Sequence, residues 1–127
     1  MSISAVRGRR LLLVDDCRDS TIALSMLLEK LGHKVQSLAD PAILQAAVEQ
    51  FDPEVVCLDL AMPNMNGFEA ATMLRARGYQ GLLIAITGFA DQQHRDAAAK
   101  SGISHYLVKP VDVADILRIL DELPGVS

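Results

Sequence analysis

The sequence is poor in several residue types that mark particular classes of protein. It has no tryptophan, only 4% aromatic residues and two cysteines among 127 residues. Cys17 and Cys57 lie forty positions apart, so they supply neither a disulfide framework nor a cluster of zinc ligands. No apolar run approaches the roughly 18 residues that a membrane-spanning helix needs, and the N-terminus has no signal-peptide core. We therefore expect a cytoplasmic protein that has no membrane partner.

The charge of the chain gives little support for nucleic acid as a partner. The net charge is −4, whereas binding to a phosphate backbone requires a basic face. The basic cluster of Arg7, Arg9 and Arg10 is expected to be a solvated flank. The length fits one domain with one core, which we place at residues 9–123, between an N-terminal tail (1–8) and a C-terminal tail (124–127).

Short apolar runs alternate with helix-like segments along the chain. Four runs lack period-two alternation, which predicts strands buried on both faces, as in a parallel sheet; they are residues 11–14, 55–58, 82–86 and 106–108. A weaker run at 35–38 is expected to be an edge strand. The intervening segments predict helices at 20–31, 41–50, 67–76, 91–101 and 112–123. Five strands and five helices in alternation predict a doubly wound α/β sandwich.

Two of the predicted helices carry further local signals. In the first, Ile22, Met26 and Leu27 lie at helical spacing, which predicts that they share its apolar face. In the second, Asp40 is expected to cap the N-terminus, with Pro41 in the first turn.

Polar side chains interrupt the apolar pattern where the runs end. Asp15 and Asp16 follow the first run, and Asp59 follows the third. Thr87 ends the fourth run and Lys109 follows the fifth. Open α/β sheets bind ligands beyond the carboxyl ends of their strands, so these side chains should converge on one rim of the sheet. Each of them alone has an ordinary structural explanation, but their convergence favours a functional site.

The negative charges of three carboxylates on one rim must be compensated by positive charge. Each pair at about 4 Å repels by roughly 1–4 kcal/mol, and one lysine cannot neutralise all three. A hard divalent cation with oxygen ligands would do so, and this donor set favours Mg²⁺ over zinc. Mg²⁺ of this kind usually meets phosphate, and Thr87 and Lys109 could then bind phosphoryl oxygens.

Four stretches of the sequence together resemble the receiver domain of bacterial two-component response regulators. They are residues 13–16 (LVDD), 58–67 (LDLAMPNMNG), 86–88 (ITG) and 106–110 (YLVKP). The resemblance covers residues 9 to about 123. It implies a flavodoxin-like (βα)5 sandwich whose five parallel strands lie in the order 2-1-3-4-5.

The resemblance also implies roles for individual residues. Asp59 matches the phosphoacceptor, and Thr87 and Lys109 match the hydroxyl and the lysine that act with it. Thr87 and Tyr106 match the two switch residues. The Lys109–Pro110 bond resembles the cis peptide of the family.

The metal site implied by the resemblance holds Mg²⁺. Asp16 matches the direct ligand, and Asp15 matches the carboxylate that usually acts through water. Asp59 and the backbone carbonyl of Ala61 complete the set.

A receiver takes a phosphoryl group from the phosphohistidine of a histidine kinase or a histidine phosphotransfer protein. It signals through a changed surface formed by the fourth helix, the fifth strand and the fifth helix. The resemblance therefore implies a self-phosphorylating signalling domain with at most slow autodephosphorylation, rather than an enzyme, and a monomer or weak dimer.

The form of the output stays open. We expect no output domain beyond Ser127, and therefore expect output through protein contact or through onward phosphotransfer. The sequences of residues 87–89 and 105–111 are similar to those of receivers in hybrid histidine kinases. Both a single-domain regulator and a hybrid-kinase receiver therefore fit the sequence.

Other functions fit the sequence less well. A small phosphatase of the haloacid dehalogenase type would also use an aspartyl phosphate, but it needs a second aspartate two positions after the nucleophile, where this chain has Ala61. A nucleotide-binding module would need a phosphate-loop or dinucleotide glycine pattern, and neither is present. The three histidines, His33, His94 and His105, are expected to be solvated surface residues.

Overall fold

The computed structural model describes residues 8–15, 18–60 and 66–123. Strands and helices alternate along them in the order β1 (Arg10–Val14), α1 (Arg18–Lys30), β2 (Lys34–Leu38), α2 (Leu44–Phe51), β3 (Val55–Asp59), α3 (Gly67–Ala76), β4 (Leu82–Thr87), α4 (Gln92–Lys100), β5 (His105–Val108) and α5 (Val113–Leu120). The strands form one parallel sheet in the order β2-β1-β3-β4-β5. The doubly wound sandwich and its strand order are confirmed. Apart from Gly8, the predicted tails lie outside the described residues.

The central strands are the most buried part of the sheet. Every residue of β3 is buried, and β1 and β4 each have a single half-buried residue at the start. β2 exposes three of its five residues, as expected for an edge strand. All four residues of β5 are only half-buried, so the prediction that this strand is buried on both faces is wrong. β5 pairs with β4 alone and forms the other edge of the sheet.

Alternate residues of each central strand point to opposite faces and build two cores. Leu12, Val14 and Leu58 pack on the face that also receives buried residues of α2, α3 and α4. Leu13 and Cys57 pack on the other face, against buried residues of α1 and α5. This layering leaves the carboxyl ends of the strands accessible at one rim of the sheet.

The apolar spacing in α1 does not identify the side of the helix that faces the sheet. Ile22, Met26 and Leu27 are 53%, 63% and 48% exposed, respectively, whereas Thr21 and Leu28 are buried. Apolar residues lie on several sides of this helix, so their spacing alone does not identify the side that faces the sheet. The result is an apolar outer face on α1.

The start of α2 also differs from the prediction. Asp40 accepts a hydrogen bond from the amide of Ala42 at 2.9 Å, as a cap would, but the turn that it caps is a 3₁₀ turn at Pro41–Ile43. The α-helix begins afterwards, at Leu44. α3, α4 and α5 have side-chain caps from Asn66, Asp91 and Asp112, respectively.

Candidate phosphoacceptor site

Two of the predicted carboxylates and the predicted lysine meet at the rim of the sheet. The register pairs Val14 with Leu58, which places the following residues, Asp15 and Asp59, side by side. Both are buried, with 9% and 6% exposure. The Nζ atom of Lys109 lies 3.2 Å from Oδ2 of each carboxylate and bridges them. Residues far apart in the sequence thus form one cluster, as predicted.

The backbone of Lys109 is hydrogen-bonded to the end of β4. Its amide donates a hydrogen bond to the carbonyl of Thr87 at 2.7 Å, and its peptide bond to Pro110 is cis, as the resemblance implied. Burial alone lowers the pKa of the Lys109 ammonium. The hydrogen bonds and negative charges of Asp59 and Asp15 outweigh this effect, and the pKa lies above its usual value. Lys109 is therefore charged at neutral pH and neutralises part of the carboxylate charge.

The charge and the donor atoms of the described cluster suit a hard cation. Asp15 and Asp59 contribute two negative charges and Lys109 one positive charge, which leaves a net −1. Carboxylate oxygens are the donors that Mg²⁺ prefers. Within residues 8–15, 18–60 and 66–123, no group of three or more His, Cys, Asp or Glu side chains could hold a metal ion. The other predicted ligands, Asp16 and Ala61, lie outside the described residues, so the complete ligand set stays a prediction.

Both predicted switch residues hydrogen-bond to Phe89. Thr87 is fully buried at the end of β4, and its Oγ1 accepts a hydrogen bond from the amide of Phe89 at 3.1 Å. Tyr106, in β5, donates its hydroxyl proton to the carbonyl of Phe89 at 2.6 Å. Burial, followed by the negative charge of Asp91, raises the pKa of the Tyr106 phenol, which keeps it protonated as a donor. Phe89 therefore connects the two residues.

Phe89 and His94 form a contact that the sequence analysis missed. Their rings stack with centroids 4.3 Å apart and planes 12° from parallel. Nδ1 of His94 lies 2.6 Å from a carboxylate oxygen of Asp91, the N-cap of α4. The side chain of His94 is 34% exposed, so it lies at the surface as expected, but it also makes specific contacts. The only local signal was its position three residues after a capping aspartate.

The other two histidines also have partners. His33 is half-buried and accepts a hydrogen bond from the amide of Arg9 at 3.1 Å. His105 is half-buried, and its Nε2 lies 2.9 Å from a carboxylate oxygen of Glu122. Both side chains thus remain partly solvated, as expected, but each also makes a specific contact.

A cleft of about 630 Å³ extends from the acidic cluster between α1 and the segment that joins β5 to α5. Asp15, Asp59 and Lys109 line its polar part, and Leu24 and Val113 are among its apolar walls. Leu27, which is exposed on the outer face of α1, also lines this cleft. The approach to Asp59 is therefore flanked by apolar surface.

Cys57 lines the cleft, but its thiol is unreactive at neutral pH. It is buried, and this burial raises the pKa of its thiol to about 12. A thiol in this state is not a nucleophile at neutral pH. The expectation that Cys57 is a core residue is confirmed.

Comparison with known proteins agrees with this geometry. Residues 11–121 match the family model of the response regulator receiver domain. The chain belongs to this family. Receiver domains are signalling domains of two-component systems rather than classic enzymes, and the match runs from β1 to α5.

Relatives at about one-third identity include both short and long proteins. Protein PilH of Pseudomonas aeruginosa is 32% identical over 114 residues, which cover 88% of this chain and 94% of PilH. Sensory/regulatory protein RpfC of Xanthomonas campestris pv. campestris is 31% identical over 122 residues. That match covers 93% of this chain but 17% of RpfC.

Solved structures show the same fold. A CheY-like response regulator receiver domain protein from Methanospirillum hungatei superposes with a TM-score of 0.83 at 25% identity, covering 91% of this chain and 93% of that protein. The chemotaxis protein CheY4 of Vibrio cholerae gives a TM-score of 0.85 at 23% identity over 93% of this chain and 100% of that protein. No helix in the described part of the chain has the length and apolar character needed to cross a membrane.

Proposed function

We propose that the chain is a phosphoacceptor that takes a phosphoryl group onto Asp59 and signals through a change of its surface. The observation that carries the proposal is the bridge from Lys109 to both Asp15 and Asp59 at the carboxyl rim of the sheet. Membership in the receiver family supports the same conclusion. The protein would act in the cytoplasm as a monomer or weak dimer.

The reaction needs one nucleophile and a donor with a good leaving group. A carboxylate oxygen of Asp59 attacks the phosphorus atom of a phosphohistidine on a histidine kinase or phosphotransfer protein. The P–N bond breaks, its electron pair returns to the imidazole, and that ring takes up a proton from solvent. The product is an aspartyl phosphate on this chain and a neutral histidine on the donor.

Three residues prepare Asp59 for this step. The Nζ atom of Lys109 already lies 3.2 Å from Oδ2 of Asp59. It can therefore form an ion pair with an oxygen of a phosphoryl group on Asp59. Thr87 can donate its hydroxyl proton to another phosphoryl oxygen while still accepting from the amide of Phe89. Asp15, together with Asp16, Asp59 and the carbonyl of Ala61, would hold Mg²⁺. When bound, this ion supplies neutralisation of the negative charge on the transferring group.

The position of the site restricts how a donor approaches. Asp59 opens onto the cleft beside α1, and Ile22 and Met26 expose apolar side chains on that helix. A protein that delivers a phosphoryl group to Asp59 would cover this apolar surface. The described surface around the site is therefore suited to a protein donor.

The surface that changes on phosphorylation would lie on the side of Thr87 away from Asp59. Through Phe89, Thr87 connects to Tyr106 in β5 and to the start of α4. Movement of Thr87 toward a phosphoryl group would thus alter the surface formed by α4, β5 and α5.

Beryllofluoride, which mimics a phosphoryl group on a carboxylate, tests this proposal. With Mg²⁺ and beryllofluoride we expect backbone amide NMR signals to shift in two regions: around Asp59 and along α4, β5 and α5. The matched control is Asp59→Asn, which keeps the size of the side chain but removes the carboxylate oxygen that binds beryllium. Shifts of equal size in Asp59→Asn, or none in the wild type, would contradict the proposal.

A further inference from the structure

The outward side of α1 is apolar in its middle. Ile22, Met26 and Leu27 all expose large apolar side chains there. Among the described residues of α2, α3, α4 and α5, no large apolar side chain is exposed to this degree. Exposed apolar area that is concentrated in one place is typical of a surface that binds another molecule.

The exposed residues of α1 form one stripe whose two ends carry opposite charges. Residues three and four apart share a face of a helix, and this spacing groups the exposed residues Asp19, Ile22, Ala23, Met26 and Lys30, which we call the outer stripe. Thr21 and Leu28, on the opposite side of the helix, are buried. The outer stripe therefore has an acidic start, an apolar middle and a basic end.

This order of charges makes the outer stripe complementary to a second copy of itself. A two-fold symmetric interface brings the same surface of two copies together, so each feature must meet its complement on that surface. When two α1 helices lie antiparallel, Asp19 of each copy meets Lys30 of the other, because these residues mark the two ends of the stripe. Ile22 and Met26 then face the apolar middle of the second stripe. A parallel arrangement would instead place like charges together.

We propose that the chain forms a weak antiparallel dimer through the outer stripe of α1. The helix has 13 residues, and about 16 Å separate Asp19 from Lys30 along its axis. A pair of helices this short covers less than the roughly 800 Å² per partner that a standard stable interface buries. We therefore expect a transient dimer with a dissociation constant on the order of 100 µM.

The dimer has a consequence for the approach to Asp59. Leu27 adjoins the outer stripe and also lines the cleft that leads to Asp59. A second copy on α1 would therefore compete with a protein that delivers a phosphoryl group. This consequence rests on the proposed function, whereas the pairing itself does not. Asp59→Asn, which removes the phosphoacceptor, should form the same dimer.

Sedimentation velocity at protein concentrations from about 10 µM to about 1 mM measures the association. Met26→Asp places a charge in the middle of the outer stripe, and we expect this variant to stay monomeric throughout. The matched control is Ile43→Asp, which makes an apolar-to-acidic change at an exposed residue of the 3₁₀ turn before α2. Its association should equal that of the wild type.

Exchange of the two end charges tests the antiparallel direction. Asp19→Lys or Lys30→Asp alone places like charges together at both ends of the dimer, and each should weaken association about two- to thirtyfold. The double variant restores both ion pairs and should associate like the wild type. It also opposes the helix dipole, so its recovery cannot come from a more stable helix. Thermal unfolding of each variant verifies that the fold is retained.

Three results would overturn the dimer. A wild type that stays monomeric at about 1 mM would leave the outer stripe to a protein of another kind. Association that Met26→Asp does not weaken would place the interface elsewhere. A double charge variant as weak as the single ones would exclude the antiparallel arrangement. An intact dimer in a protein that takes no phosphoryl group at Asp59 would overturn only the proposed function and the competition with a donor.

Discussion

Lys109 determines the electrostatics of the candidate site at the scale of single residues. It lies equally close to Asp15 and Asp59, and both carboxylates are almost completely buried. Without a cation these two groups would repel each other in a poorly solvated position. One ammonium leaves the described cluster with a net negative charge, and Asp16 would add to it. We therefore expect the site to favour the binding of a divalent cation.

This repulsion predicts a response of stability to Mg²⁺. We expect Mg²⁺ to raise the melting temperature of the wild type, because an ion that binds only the folded state stabilises it. Asp16→Asn should remove one negative charge, raise the melting temperature of the metal-free protein and abolish the Mg²⁺ response. Differential scanning fluorimetry with and without Mg²⁺ measures both effects.

The control for this experiment is Asp19→Asn. Asp19 is exposed in the first turn of α1, so the same chemical change there should leave the Mg²⁺ response intact. An Asp16→Asn variant whose melting temperature rises with Mg²⁺ as much as that of the wild type would exclude Asp16 from the ligand set.

At the scale of elements, the approach of α3 to the end of β3 depends on Gly67. A Cβ atom at this position would lie 2.8 Å from the backbone Cα of Leu60 and 3.1 Å from the carbonyl oxygen of Asp59. Gly88, directly after β4, has no atom within 4 Å of the corresponding position and does not have positive φ. A methyl group at Gly67 would therefore clash with the backbone, whereas one at Gly88 would meet no neighbouring atom.

Alanine substitutions test this difference. Gly67→Ala should lower the free energy of unfolding by about 1–3 kcal/mol, because the backbone beside Asp59 must shift to admit the methyl group. Gly88→Ala should raise it by up to about 1 kcal/mol, because alanine restricts the unfolded chain at no cost to the fold. Urea unfolding of both variants measures the effects. A Gly67→Ala variant as stable as Gly88→Ala would show that α3 and β3 are not in close contact.

α1 shows where prediction of an element from its sequence reaches a limit. Its length and position follow from the pattern, but its apolar residues do not lie on one side. Which side faces the sheet depends on how the helix packs against the sheet and α5, and that is a tertiary property. Ile22, Met26 and Leu27 are exposed for this reason, and Leu27 also lines the cleft that leads to Asp59.

At the scale of the whole molecule, the fold and the rim cluster follow from local patterns combined with one topological rule. Each strand could be recognised from its own run of apolar residues. The carboxyl ends of parallel strands share one edge, so Asp15, Asp59, Thr87 and Lys109 had to be neighbours. The bridge from Lys109 to both carboxylates is a consequence of that topology.

The contacts behind Thr87 could not be predicted in the same way. The stack of Phe89 on His94 depends on the path of the loop between β4 and α4, which leaves no periodic signal in the sequence. The same is true of the hydrogen bond from Tyr106 to Phe89, which joins residues seventeen positions apart. The sequence therefore predicts which side chains meet at the rim better than it predicts the contacts behind Thr87.

The central claim is that Asp59 is a phosphoacceptor, and the mass of the intact protein after incubation with acetyl phosphate and Mg²⁺ tests it most directly. Borohydride reduction of the product, followed by peptide mass spectrometry, locates the modified aspartate. We predict a gain of one phosphoryl group in the wild type, located at Asp59, and no gain in Asp59→Asn or in the presence of a metal chelator. A phosphoryl group located at another residue, or an equal gain in Asp59→Asn, would contradict the account.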